Sequence, residues 1–183
     1  MAPNTSELEE LLYRARLMDP LALGQLHDQY YPQIYRYIYF RLGNELVSQE
    51  LTDEVIHGMF DQIQKSLHFK NGLEGWLLKI TATHVQAYIR GILAVNKQDI
   101  PNEENFPAEE STPSDTIWGL KMVQNAFSQL LPDEQHFLAM RFALALSLDD
   151  IAKKTGSKPA ELIALQFHSL QSLRCLLESV GNG

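Results

Sequence analysis

Apolar residues in this chain recur every three or four positions in one segment after another, and no segment alternates convincingly with period two. A 3.6-residue period turns one face of a helix toward a core, so the pattern predicts an all-α fold without strands. Leu8, Leu11, Leu12 and Ala15 mark a first helix, opened by a Ser6-x-x-Glu9 capping box. Asp19-Pro20 opens a second as N-cap and first helical residue. Its face carries Leu23, Leu26 and Tyr30; Pro32 is expected to break or kink it before Ile34, Tyr35, Ile38 and Leu42 lead to a stop at Gly43. Leu51, Val55, Met59 and Ile63 predict a third helix over about 46–66. After a short loop, Trp76, Leu77, Ile80, His84 and Tyr88 predict a fourth over about 73–90.

The period then lapses. Residues 97–115 hold Pro101, Pro107 and Pro113 among polar residues, which reads as an extended linker. Beyond it, Ser114 can cap a fifth helix reaching Leu130, and a sixth is expected from about Pro132 to Phe142. Ser147 with Asp150 opens a short helix ending at Gly156, and Ser157 is expected to cap a last one reaching about Glu178. The expected organisation is a helical domain over 1–96, an acidic linker over 97–114 and a second helical domain over 115–183.

Charge follows the same division. The formal net charge is −8. Residues 1–97 carry 9 basic and 11 acidic side chains, residues 98–115 carry 6 acidic and no basic ones, and residues 116–183 carry 6 of each. The excess acid therefore sits in the linker, and charge neither supports nor excludes DNA binding at the two ends. The single cysteine, Cys175, excludes an internal disulfide and a thiolate metal cluster. The six histidines lack metal-ligand spacing, and no phosphate loop, nucleophile elbow or paired-carboxylate motif occurs. No enzyme activity, catalytic residue, metal or cofactor is expected. With no basic-then-apolar leader and no membrane-length apolar run, the expected location is cytoplasmic, away from any membrane.

Two motif groups carry a family resemblance. Gln49-Glu50-Leu51-Thr52-Asp53-Glu54-Val55, followed by Gly75-Trp76-Leu77-Leu78-Lys79-Ile80, resembles region 2 of the extracytoplasmic-function (ECF) sigma factors, the small bacterial initiation factors of RNA polymerase. Leu130-Leu131-Pro132-Asp133-Glu134-Gln135 through Ser147-Leu148-Asp149-Asp150-Ile151-Ala152 resembles their region 4, a helix-turn-helix. The matches span roughly three quarters of the chain, in the family's order and spacing. The resemblance implies that Glu50, Leu51, Thr52, Asp53, Glu54 and Val55 grip core RNA polymerase. It also implies that Phe69, Lys70, Asn71, Trp76, Lys79, Thr83 and Arg90 meet the melted minus-10 strand, where stacking surfaces, hydrogen-bonding groups and cations are needed. Trp76 itself reads first as a core residue that braces this helix, and only second as a stacking surface.

The DNA-facing positions depart from the family. Ala82-Thr83 stands where Arg-Asn is usual, and Arg90-Gly91 where paired Arg often closes the helix. On the last helix, Lys158, Gln166, His168 and Gln171 remain as minus-35 candidates, while Ile163 and Phe167 occupy positions usually held by Lys and His. Those two, one turn apart, suit either a protein contact or packing within the domain. The implied function is promoter recognition and transcription initiation with core RNA polymerase, with weak DNA binding through the C-terminal domain. An anti-sigma factor or a second copy is a further candidate partner. The alternatives are a sigma-like regulator that keeps protein contacts but binds promoter DNA poorly, and a helical protein-binding adaptor.

Overall fold

The computed structural model describes residues 5–66, 68–69, 71–98 and 115–181. They form α1 (Thr5–Arg16), α2 (Pro20–Leu42), α3 (Glu45–Lys65), α4 (Gly72–Gln98), α5 (Asp115–Ser128), α6 (Pro132–Leu138), α7 (Leu148–Thr155) and α8 (Pro159–Gly181), with a π-helical turn at Ala139–Ala143 extending α6. No strand occurs among the described residues, and the fold is all-α. Most of the expected linker, and its acidic residues up to Glu110, lie outside them, as does Ser114.

Local chemistry explains most boundaries. The Asp19 side chain accepts from the Leu21 amide at 3.0 Å and pairs with Arg14, which holds its carboxyl below the usual range. Asn44 caps α3 through the Val47 amide at 3.1 Å. Gly43 and Gly156 end α2 and α7 at φ 64° and 75°, in the left-handed region that glycine enters without a Cβ penalty. Ser147 and Asp150 cap α7 reciprocally.

Four expectations give way. Helix α1 starts at Thr5, so Ser6 lies inside its first turn. Pro32 does not break α2, which runs unbroken from Pro20 to Leu42. A helix-interior proline costs about 3 kcal/mol, and burying Tyr30, Ile34, Tyr37 and Ile38 on one side of α2 outweighs it at roughly 1.5–3 kcal/mol apiece. Helix α4 continues to Gln98, two turns past Arg90. Ser157 does not cap α8; its hydroxyl accepts from Thr155 at 2.9 Å, and the helix starts at Pro159.

Helices α1–α4 build the N-terminal half around Leu26, Tyr30, Ile38, Val55, Met59, Ile63 and Val85. Phe127, Phe137, Leu138 and Ile151 of the C-terminal half join the same contiguous apolar cluster. The halves meet where α2 packs on the π-helical turn and α4 packs on α7.

Candidate nucleic-acid and protein interface

The α3 motif divides by its own helical period. Leu51, Thr52 and Val55 face the core, at 7%, 0% and 1% exposure, and the Thr52 hydroxyl is spent on the Ser48 carbonyl at 2.6 Å. In the free chain they hold the helix in place, and of the six motif residues it is the three acidic ones that face outward. Glu50, Asp53 and Glu54 are exposed. Spaced i, i+3, i+4, they form one acidic face on adjoining turns.

The minus-10 candidates on α4 converge. Asn71, Trp76, Lys79, Thr83 and Arg90 line one groove of about 610 Å³. Trp76 is half-buried, with its ring edge-on to Phe69 at 5.7 Å between centroids, so it braces the helix and still lines the groove. Asn71 stands exposed at φ 63° just before α4 begins. Lys79, Thr83 and Arg90 follow at one- and two-turn intervals, all exposed. Lys70 lies outside the described residues.

Sequence reasoning missed the opposite wall of this groove, made by His136, Lys154 and Thr155 of the C-terminal half. The Lys154 ammonium pairs with Glu74, and burial lowers its pKa. Gly75 lies so close to α7 that a Cβ there would overlap the Lys154 carbonyl oxygen. At this contact the C-terminal turn of α7 abuts the N-terminal turn of α4, helix ends of opposite partial charge.

A buried polar cluster lies behind the groove. Arg41, 6% exposed, donates from Nη1 to the Tyr37 hydroxyl at 3.1 Å and from Nη2 to Gln135 Oε1 at 2.8 Å, while its Nε has no hydrogen-bond partner. The Gln135 amide donates to the carbonyls of Phe127, Ser128 and Leu130 at 3.0–3.1 Å. Burial, then the Arg41 charge, depress the His136 pKa to about 4, against a smaller opposing pull from Asp133. With His136 neutral, the Tyr37 hydroxyl donates to its Nδ1 at 2.5 Å. The available signal was Arg41 itself, a cation on the buried face of α2 one turn after Tyr37.

Helices α7 and α8 have helix-turn-helix form with thin chemistry for DNA. Lys158 precedes α8 and pairs with Glu161 at 3.9 Å, and Arg174 pairs with Glu178 at 2.7 Å. His168 and Gln171 are exposed, but Gln166 is half-buried with an unpartnered Oε1. Ile163 and Phe167 are 59% and 66% exposed, which rules out the packing alternative for them. With Gln166, Leu170, Gln171 and Arg174 they line a shallow groove of about 550 Å³.

Among the described residues, no cluster of His, Cys, Asp or Glu is placed to hold a metal ion, and no helix is long and apolar enough to cross a membrane. No protein-family model matches the chain. It is similar to the ECF RNA polymerase sigma factor BldN of Streptomyces coelicolor, 26% identical over 181 residues, covering 95% of this chain and 67% of that protein. A solved structure of an RsbN–BldN complex matches at 23% identity, covering 90% of this chain and 98% of that one. Its TM-score of 0.35 leaves the sequence similarity to carry the comparison. That similarity extends along nearly the whole chain and takes in both motif groups, so that in sequence this protein is similar to one ECF RNA polymerase sigma factor from end to end.

Proposed function

We propose that the chain binds core RNA polymerase through the acidic face of α3 and offers the α4 groove to single-stranded promoter DNA. The observation behind this reading is the convergence of Asn71, Trp76, Lys79, Thr83 and Arg90 on one groove. An aromatic surface, an amide, a hydroxyl and two cations are the groups with which proteins stack bases, bond their edges and neutralise phosphates. On α3, Glu50, Asp53 and Glu54 can each accept charge-assisted hydrogen bonds from arginines of a partner helix. The six acidic side chains and absent basic ones of residues 98–115 would suit a basic channel otherwise used by nucleic acid.

Promoter-specific transcription in a reconstituted assay tests this directly. Added to core polymerase, the chain is expected to give a product with a defined start site. Lys79→Ala with Arg90→Ala is expected to reduce open-complex formation about tenfold while polymerase co-purification persists, since two phosphate contacts disappear. No product above that of the core enzyme alone would overturn the reading.

A second reading is supported by α8. The exposed Ile163 and Phe167, with Lys158 and Arg174 each tied to a glutamate, suit a sigma-like regulator whose C-terminal half meets protein better than duplex DNA. That protein would be an anti-sigma factor or a second copy of the chain. Tight, sequence-specific and strongly salt-dependent duplex binding by the wild-type protein would exclude it.

A further inference from the structure

We propose that the cavity between α2, α4 and the segment leading into α7 is a binding site for a small uncharged molecule with an apolar body and one hydrogen-bond acceptor, held by the Tyr30 hydroxyl. The cavity measures about 510 Å³, within the range of small-molecule sites. Ile34 of α2, Leu77 and Leu78 of α4, and Leu144 and Leu146 ahead of α7 give it an apolar wall. Tyr30 lines it as well, at 2% exposure, and its hydroxyl has no hydrogen-bond partner. A buried hydroxyl left unpaired is costly, so this group favours an occupant that brings an acceptor. Burial raises the phenol pKa to about 12, which keeps the hydroxyl protonated and able to donate.

The other polar groups around the cavity argue against a charged occupant. The Tyr37 hydroxyl is engaged by His136 and Arg41, and the Thr81 hydroxyl donates to the Leu77 carbonyl at 2.7 Å. The Gln33 amide nitrogen donates to the Gln29 carbonyl at 3.0 Å. Glu74 and Lys154 pair with each other, and the Asp150 carboxylate accepts from the Ser147 hydroxyl and amide. An ion entering here would give up its water and find no free counter-charge. An uncharged ring system gives up little, gains apolar contact, and has one polar atom to offer Tyr30. Such an occupant would touch Ile34 and Leu77 on one side and Leu144 and Leu146 on the other. The inference stands whether or not α4 meets DNA.

Prodan, an uncharged dimethylaminonaphthalene with one ketone, is a suitable probe, because its emission brightens and shifts to the blue in apolar surroundings. The same dimethylaminonaphthalene without the ketone is its partner in the comparison. Both are titrated with the full chain, as wild type, Tyr30→Phe and Leu146→Trp. Tyr30→Phe removes only the unpartnered oxygen and keeps the core filled, so the fold persists. It is expected to weaken prodan binding about tenfold, the worth of one hydrogen bond to a neutral acceptor. The ketone-free compound is expected to bind wild type and Tyr30→Phe alike. Leu146→Trp fills the cavity from the α7 side and is expected to bind neither compound. Should Leu146→Trp not fold, the Tyr30→Phe comparison decides alone. Equal prodan affinity in wild type and Tyr30→Phe overturns the proposal. Binding that persists in folded Leu146→Trp also overturns it, by placing the probe elsewhere, such as on the exposed Ile163 and Phe167. No prodan binding by the wild type overturns it as well, and leaves water to satisfy the Tyr30 hydroxyl.

Discussion

Acidification is expected to weaken this protein through His136. In the folded chain its pKa lies at about 4 against an ordinary 6.5, because burial and the Arg41 guanidinium both oppose a second positive charge. A group whose folded pKa is depressed in this way, when it is a base, must be charged by acid in the unfolded chain first. Its contribution is therefore present above about pH 6.5 and is lost as pH falls toward 4. Protonation would also turn Nδ1 from acceptor to donor, leaving the Tyr37 hydroxyl facing donors from both His136 and Arg41. The full shift corresponds to ~3 kcal/mol. The part expressed between pH 7 and pH 5 is ~2 kcal/mol, and the imidazole's partly exposed edge brings the expected loss to roughly 1–2 kcal/mol. Urea unfolding at both pH values measures it. His136→Gln is the reference: its amide oxygen can still accept from Tyr37 but does not titrate, so carboxylates elsewhere contribute equally to both proteins. The wild type should lose that much more stability than the variant over this window. Parallel profiles would refute the reasoning.

Reversing the acidic face of α3 with Glu50→Lys, Asp53→Lys and Glu54→Lys is expected to abolish co-purification with core polymerase at an unchanged melting temperature; retention like that of the wild type would remove this face from the interface. Gln135→Ala removes the acceptor for Arg41 and the donor shared by three carbonyls, and is expected to destabilise by ~2–4 kcal/mol in urea unfolding. A loss below ~0.5 kcal/mol would show that water serves these groups equally well. Ile163→Lys with Phe167→His alters only exposed positions, so stability should stay within ~0.5 kcal/mol. Duplex DNA binding, measured against salt, should steepen in log–log slope by roughly 1–2 as cations are added, and an unchanged slope would mean that this face does not meet DNA.

The helices were legible because periodicity and caps are local. Asp19, Gly43, Gly156 and the Ser147–Asp150 pair each act within a few residues of the boundary they set. Pro32 does not break α2 because the local cost of a proline is overridden by burial of its neighbours, which depends on elements packed from elsewhere. The α3 motif was legible as a unit but not by face: a helical period shows that Leu51 and Val55 lie together, and only the folded packing shows that they turn inward. The α4 groove was readable from spacing, since Trp76, Lys79, Thr83 and Arg90 recur at helical intervals. Its far wall was not, because His136 meets Tyr37 across 99 residues and no local pattern records such a pairing.

Gly75 sets a trap for stabilising redesign. A glycine inside a helix gives up ~1 kcal/mol relative to alanine, so propensity alone recommends alanine at 24, 58, 75 and 91 alike. At Gly24, Gly58 and Gly91 an added Cβ meets nothing within 4 Å, and the gain should be collected in full. At Gly75 the same methyl would push against the backbone of α7, and whatever α4 gained in rigidity the junction would lose in fit. A library selected only for heat resistance would then enrich proteins whose two halves no longer nest, and its most stable N-terminal halves would belong to its least compact molecules.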